Sequence, residues 1–283
     1  LKVCEASRLA RKRLSATGHL QPAEDALYIL GDVLVSGRLD VLANQRSTLS
    51  PRQQETFEEL LRLREAHFPL QYMSGRQEFY GRDFKVAPAV LIPRPETEIL
   101  VEVGLHTIKT LPGRPIRVLD VGTGSGCIAV TIACENSLSH VVALDPSPGA
   151  LQIARQNALL HKCANRVNLV CGYLKDLPHR PFDLVISNPP YIGSANTTNV
   201  QPGVLEFEPR EALLAGQSGL AVYRELFEYG KNLIAPSASL VVELSFDNFN
   251  EVSALASNHG WEVKSVHNDL AGWQRVALFQ MKT

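Results

Sequence analysis

The sequence predicts an α/β protein: a mostly parallel sheet with an antiparallel edge, preceded by a small N-terminal helical domain and a β-hairpin linker. Three observations carry that expectation. From Arg117 onward short apolar runs alternate with amphipathic stretches. The first seventy residues carry helical periodicity and helix-start signals, and the stretch between alternates aromatic and polar residues around Gly81. A chain of 283 residues also has room for about two domains at roughly 150 residues each.

Residues 2–16 are basic and stop at Gly18, and Ala26, Leu27, Ile29, Leu30, Val33 and Leu34 recur at helical spacing after Pro22. Ser50, Pro51 and Gln53 combine a capping hydroxyl, a first-turn proline and a capping-box partner. Phe57, Leu60 and Leu61 give the helix that follows its apolar face, and Pro69 closes it. Residues 1–70 are therefore expected to form a helical bundle whose charges are mostly solvated faces, and residues 71–95 a hairpin linker. In the remaining domain, 96–283, the strand-like runs are 116–120, 140–145, 166–170, 182–187 and 239–245. Helical stretches at about 126–136 and 148–161 separate the first three, which predicts parallel strands covered on both faces. WEVKSV and WQRVALFQ, near the end, are expected as an antiparallel edge.

Composition excludes several classes of function. Lys plus Arg is 28 against 29 Asp plus Glu, a net charge of −1, which argues against affinity for nucleic acid built on phosphate neutralisation. No run of about 18 apolar residues is present to span a membrane. The five cysteines are odd in number and form no CxxC pair, so neither a disulfide framework nor a zinc site is expected and a reducing compartment is favoured. The expected location is cytoplasmic, or organellar if a targeting peptide has been trimmed ahead of Leu1.

Two motifs carry chemistry. In VLDVGTGSGCIAV, residues 118–130, a strand ends at Asp120 and a turn through Gly122, Thr123, Gly124, Ser125 and Gly126 leads into a helix. The glycines let the backbone turn sharply and approach a ligand closely. Their GxGxG spacing is not the dinucleotide GxGxxG, and no lysine follows to make a phosphate loop, so a nucleoside-bearing ligand without a pyrophosphate fits better. The next strand ends at Asp145, placed to accept hydrogen bonds from ribose hydroxyls. The second motif is NPPY, Asn188, Pro189, Pro190 and Tyr191, directly after the strand FDLVIS. Each proline holds the residue before it extended. The Asn188 side-chain carbonyl and the Pro189 main-chain carbonyl can then aim at one NH2 group on a planar nitrogen, with Tyr191 as a flat wall.

The glycine loop, Asp145 and NPPY together resemble the Rossmann-like class I S-adenosylmethionine-dependent methyltransferases that modify planar nitrogens. QYMSGRQEFYGRDFKV, VLIPRPETE (90–98) and FEPREALLAGQSGLAVYREL (207–226) narrow the likeness to the release-factor glutamine methyltransferases of the HemK/PrmC type, over nearly the whole chain. That resemblance implies a helical domain that helps engage a class 1 peptide-chain release factor. It also implies a methyltransferase domain that methylates the side-chain amide nitrogen, N5, of the glutamine in the factor's Gly-Gly-Gln loop. By the same resemblance Gly122, Thr123, Gly124, Ser125, Gly126, Asp145, Tyr173 and Asn188 hold S-adenosyl-L-methionine, which leaves as S-adenosyl-L-homocysteine. Asn188, Pro189, Pro190 and Tyr191 bind the substrate, with Asn188 and Pro189 catalytic. No metal, no direct nucleic-acid partner and no membrane are expected, and the chain is expected to act as a monomer.

One position departs from the family pattern. Many members carry an acidic residue just before the position of Tyr173, where this chain has Gly172, so the adenine amine is expected to use another acceptor such as Asp176 or a main-chain carbonyl. Two roles are open to Arg94 and Glu96, shaping the pocket or pinning the linker, whereas Glu208 and Arg210 are expected to brace the NPPY loop. No histidine falls within a motif, so no histidine base is expected. The rival readings are a nucleic-acid amino methyltransferase acting on adenine or guanine, and a non-catalytic module that keeps the fold.

Overall fold

The computed structural model describes residues 1–111, 114–195, 197 and 203–282, except for the side chain of Arg38. The described residues divide into two compact units, one drawn from 1–75 with 203–207 and the other from 76–197 with 208–282. Residues 203–207 thus cluster with the helical unit, although the sequence reading gave everything beyond 96 to the second domain. Among the described residues no helix is long and apolar enough to cross a membrane.

The first unit is built from α1 (Val3–Ala16), α2 (Pro22–Leu34), α3 (Arg38–Ala43), α4 (Pro51–Glu65) and α5 (Leu70–Ser74). The capping box at α4 is complete: Ser50 Oγ accepts from the Gln53 N–H, and Gln53 Oε1 accepts from the Ser50 N–H at 2.9 Å. Leu14, Ile29, Leu30, Phe57 and Leu61 are fully buried where α1, α2 and α4 meet. Burying side chains of this size contributes about 1.5–3 kcal/mol each. Not all its charges are solvated faces. Arg13 pairs with both Glu58 (2.8 Å) and Glu65 (2.5 Å), holding the Glu65 carboxyl below its ordinary range, and Arg64 pairs with the buried Asp25 at 2.8 Å.

The second unit opens with a two-stranded hairpin, β1 (Arg76–Phe79) and β2 (Arg82–Lys85), so the start of the stretch read as hairpin is the short helix α5 instead. Next come α6 (Thr97–Lys109), β3 (Ile116–Val121), α7 (Cys127–Glu135), β4 (Ser139–Asp145), α8 (Pro148–Leu160), β5 (Val167–Cys171) and β6 (Phe182–Ser187). The chain continues through α9 (Val204–Phe207), which belongs to the first unit, then α10 (Arg210–Leu213) and α11 (Ala221–Gly230). It ends with β7 (Ile234–Glu243), α12 (Phe249–Asn258), β8 (Trp261–Asn268) and β9 (Gln274–Met281).

The seven-stranded sheet has the order β5-β4-β3-β6-β7-β9-β8, parallel as far as β7, with β9 and β8 antiparallel. Alternate side chains serve opposite faces. Val118, Leu184, Ile186 and Val241 pack under α6 and α7, whereas Leu119, Val185, Leu240 and Val242 pack under α11 and α12. β7 begins five residues before the apolar run that reveals it. Its early part contains Pro236, and the irregular register against Phe182 and Leu184 absorbs that proline.

Candidate active site

Strand register brings the separate motifs together. Val121 of β3 pairs with Leu144 of β4 on one side and with Ser187 of β6 on the other. The residues that follow, Gly122, Asp145 and Asn188, are therefore level at the carboxyl ends of three adjacent strands. With strands about 4.8 Å apart, the positions of Asp145 and Asn188 lie roughly 10 Å from each other across the glycine loop. The chain leaves β3 on one side toward β4 and returns on the other as β6, which is where an open parallel sheet forms its ligand crevice.

Gly122, Gly124 and Gly126 all have positive φ, +73°, +52° and +79°. A Cβ on either of the first two would meet no atom within 4 Å, whereas one on Gly126 would lie 3.0 Å from Ala154 Cβ. The first two glycines thus leave open space for a ligand, and the third lets α7 pack against α8. Thr123 and Ser125 are buried between them. The Ser125 carbonyl accepts from Asn157 Nδ2 at 2.8 Å, and Asn157 also exchanges hydrogen bonds with the Lys85 backbone at 2.8 and 3.0 Å. A single buried side chain of α8 therefore ties the loop to the hairpin.

Two carboxylates sit beneath this loop. Asp145 Oδ2 accepts from the Gly124 N–H and its Oδ1 from the Ser147 N–H, both at 2.9 Å, and each oxygen keeps a lone pair for a ligand hydroxyl. Burial raises its pKa against the pull of those two bonds. Asp120 is fully buried and accepts from Thr123 Oγ1 at 2.6 Å, and burial pushes its carboxyl up to about 7. An open glycine-lined backbone above two carboxylates suits a ligand with a vicinal diol and a positive charge.

The buried Asp120 has a thermodynamic consequence. Between its ordinary pKa near 3.8 and about 7, the folded chain holds a proton that the unfolded chain has released, so this group lowers stability as pH rises through that window. Asp120→Asn removes the effect. We expect it to stabilise the fold by about 2–4 kcal/mol at pH 8, fading to nothing below about pH 4. Thermal melts across that pH range check the sign.

Tyr173 stands half exposed beyond β5, with the Lys175 ammonium 5.7 Å from its ring centre. The Asp176 carboxylate accepts from the Tyr173 N–H at 3.3 Å and lies 3.9 Å from where a Cβ on Gly172 would be. An acidic group is therefore present beside the position where this chain lacks one.

Asn188 is partly buried, and its Nδ2 donates to Thr97 Oγ1 at 3.1 Å. Pro189 is buried. Tyr191 is less free than a simple wall: it packs on the core around Tyr223, and burial with the nearby Glu243 charge pushes its hydroxyl up to about 12. The loop is backed by residues 213–219. Ile192 N–H donates to the Leu213 carbonyl (3.0 Å), Ala215 N–H to Ile192 (3.0 Å) and Ser194 N–H to Gly216 (2.9 Å). Gly219 allows this contact, because a Cβ there would collide with the Tyr191 carbonyl.

The brace expected from Glu208 lies elsewhere. Its Oε1 pairs with Arg94 at 2.5 Å and its Oε2 accepts from the Ile92 N–H at 3.1 Å, so the two side chains fasten the segment before α6. Arg94 pins the linker, Glu96 is exposed at the start of α6, and Arg210 opens α10. Sequence reading also missed Asp120, Asn157, Gly219, Thr97 and Glu243. For Asp120 and Glu243 a signal existed: each is the lone acidic residue of its strand and directly follows a short apolar run near the carboxyl end. Among the described residues no three His, Cys, Asp or Glu gather in a way that could hold a metal ion.

Comparison with known proteins gives the relationship. The family model described as PrmC N-terminal domain matches residues 5–75, and the methyltransferase small domain matches residues 98–231. A release factor glutamine methyltransferase of Nitratidesulfovibrio vulgaris is 37% identical, covering 95% of this chain and 91% of its own length. The chain belongs to the release factor glutamine methyltransferase family. The Koribacter versatilis member is likewise 37% identical, covering 97% and 96%. A bifunctional methyltransferase of Rickettsia conorii is 31% identical, and the chain spans about half the length of such Rickettsia relatives, 56% in this case. A methyltransferase of Pyrococcus furiosus shares the fold, with a TM-score of 0.53 at 18% identity over 72% of this chain and 91% of its own. The ribosomal protein L11 methylase of Lactobacillus delbrueckii does so at 0.51 and 16%, over 73% and 90%. The fold is thus shared with methyltransferases, and the family is one of methyltransferases by name.

Proposed function

We propose that the protein transfers a methyl group from S-adenosyl-L-methionine to the N5 side-chain amide nitrogen of the glutamine in the Gly-Gly-Gln loop of a class 1 peptide-chain release factor. The observation that carries this reading is the level placement of Asp145, the glycine loop and Asn188 on three adjacent strands, in a chain of this family. In this reading Asp145 takes the ribose hydroxyls, the backbone of Gly122–Gly126 takes the methionine part, and Tyr173 lies against the adenine. Asp176 supplies the acceptor that Gly172 cannot.

When bound, the cofactor supplies a methyl group on a sulfonium centre, a strong electrophile. The chain's task is to make an amide nitrogen nucleophilic, since its lone pair is delocalised into the carbonyl. Asn188 Oδ1 and the Pro189 carbonyl accept the two N–H bonds, fix the nitrogen, and favour the positive charge that builds up as it is alkylated. Such preorganised dipoles act on charge present only near the transition state, and alignment of the reactants supplies much of the remainder. The alkylated nitrogen is strongly acidic and releases its proton to water, so no histidine base and no metal enter this reading. The helical unit, by the same reading, helps engage the release factor, and the chain works as a monomer in the cytoplasm or an organelle.

The test is transfer of labelled methyl from S-adenosylmethionine to a purified class 1 release factor, run beside its Gly-Gly-Ala variant and duplex DNA. Label on the wild-type factor alone is the expected result. Label on DNA would replace the substrate assignment and keep the fold and cofactor.

A further inference from the structure

The strand next to β6 carries a buried acid level with Asn188. Ser187 of β6 pairs with Val242 of β7, so Asn188 and Glu243 follow at the same height on adjacent strands. Parallel neighbours at one height share a face, and here that face is the one covered by α6. Glu243 is 1% exposed and Thr97, the first residue of α6, is 2% exposed. Thr97 stands between them: its hydroxyl accepts from Asn188 Nδ2 at 3.1 Å and lies near enough to the Glu243 carboxyl to favour its ionised form. Tyr223 donates to the Glu243 main-chain carbonyl at 2.7 Å, and Glu243 Oε2 has no partner among the described residues.

We propose that Thr97 and Glu243 are positioning residues that hold the Asn188 amide in the orientation presenting its carbonyl oxygen to the substrate, and that Glu243 must be ionised to do so. The reason is the direction of the bonds. A hydroxyl has a single proton, and an ionised carboxylate only accepts. Facing ionised Glu243, Thr97 gives its proton to the carboxylate and turns a lone pair toward Asn188, which only the NH2 end can meet. Asn188 Oδ1 is then directed away from Thr97. If Glu243 is protonated, it can donate to Thr97, Thr97 can donate to Asn188 Oδ1, and the amide is free to turn over. The NH2 end would then face the substrate's own N–H bonds, and the acceptor pair with Pro189 would be lost.

The surroundings put this ionisation in an accessible range. Burial drives the Glu243 carboxyl up to about 7, with Glu96 raising it and the Thr97 hydroxyl, Arg275 and Arg94 lowering it. Tyr191, Tyr223 and Cys127 also feel its charge, but burial pushes all three upward and they stay neutral. Activity should therefore rise with pH through about 7 and level off above it.

The inference rests on the proposed role of Asn188, so Asn188→Ala belongs in the same experiment. We would measure kcat and KM from pH 5.5 to 9, and cofactor affinity by calorimetry, for wild type, Thr97→Val, Thr97→Ser, Glu243→Gln and Asn188→Ala. Thr97→Val keeps the shape and loses the hydroxyl: kcat should fall about 10- to 100-fold with the acid limb flattened and cofactor affinity within about twofold. Thr97→Ser should recover most of the loss. Glu243→Gln should be slower than wild type and lack the acid limb, since its amide can face Thr97 either way. Independently of turnover, an Asn188 side-chain amide proton should be protected from exchange in wild type and exposed in Thr97→Val. Wild-type kcat in Thr97→Val, or an unchanged acid limb in Glu243→Gln, with Asn188→Ala inactive, would overturn the positioning role alone. An active Asn188→Ala would overturn the reading of the site and this inference with it.

Discussion

Asn188→Ala should lower methyl transfer by about 10²- to 10³-fold while leaving cofactor affinity nearly unchanged, a loss similar to removing one preorganised dipole from other active sites. The side chain is a partly buried amide whose Nδ2 donates to Thr97. Truncation therefore leaves Thr97 short of a donor but opens no large cavity, and the strand before it stays in register through Ser187, whose hydroxyl donates to the Val121 carbonyl at 2.8 Å. The loss should fall on kcat, because the acceptor matters most when the substrate nitrogen becomes positive. Single-turnover transfer to the release factor, with calorimetric titration of S-adenosylmethionine, separates the two quantities. Near-normal turnover would remove the NPPY mechanism.

Asp145→Asn should abolish most cofactor binding, with affinity falling about 100-fold or more, and yet leave the protein folded. Both carboxylate oxygens already accept main-chain N–H bonds, from Gly124 and from Ser147. An asparagine amide must turn its NH2 toward one of those donors, so whichever way it sits, one contact becomes donor against donor. The glycine loop is then released at Gly124 or the start of α8 at Ser147, and an acceptor for a ribose hydroxyl is lost, each change costing about 1–3 kcal/mol. Folding is spared because burial disfavours the charge that the substitution removes. The check is the melting temperature with and without S-adenosylmethionine: wild type should gain stability with ligand concentration and Asp145→Asn should not. A full ligand-induced shift in the variant would put the ribose elsewhere.

Much of this site was legible in the sequence because its parts are contiguous. A strand–glycine turn–helix, an acid ending the next strand, and a proline-stiffened tetrapeptide each declare themselves within a dozen residues, and so does the Ser50–Gln53 capping box. Elements without a local signal were not legible. α3 and α5 are too short for periodicity to reveal, and Pro236 hid the beginning of β7 because a proline inside a strand argues against one. Glu208 lies close in sequence to the NPPY loop, which suggested a brace, but its carboxylate reaches back more than a hundred residues to Ile92 and Arg94.

From the sequence alone came the α/β class, the helical N-terminal unit, the glycine loop, Asp145 and NPPY, since backbone conformation and hydrophobic period are local properties of a chain. Tertiary structure alone decided that β6 lies beside β3, that Gly122, Asp145 and Asn188 stand level, and that Thr97 bonds Asn188 with Glu243 at the same height on the next strand. Strand order and register depend on contacts between residues far apart in the chain, and a hydrogen bond has a direction only once its donor and acceptor have been brought together.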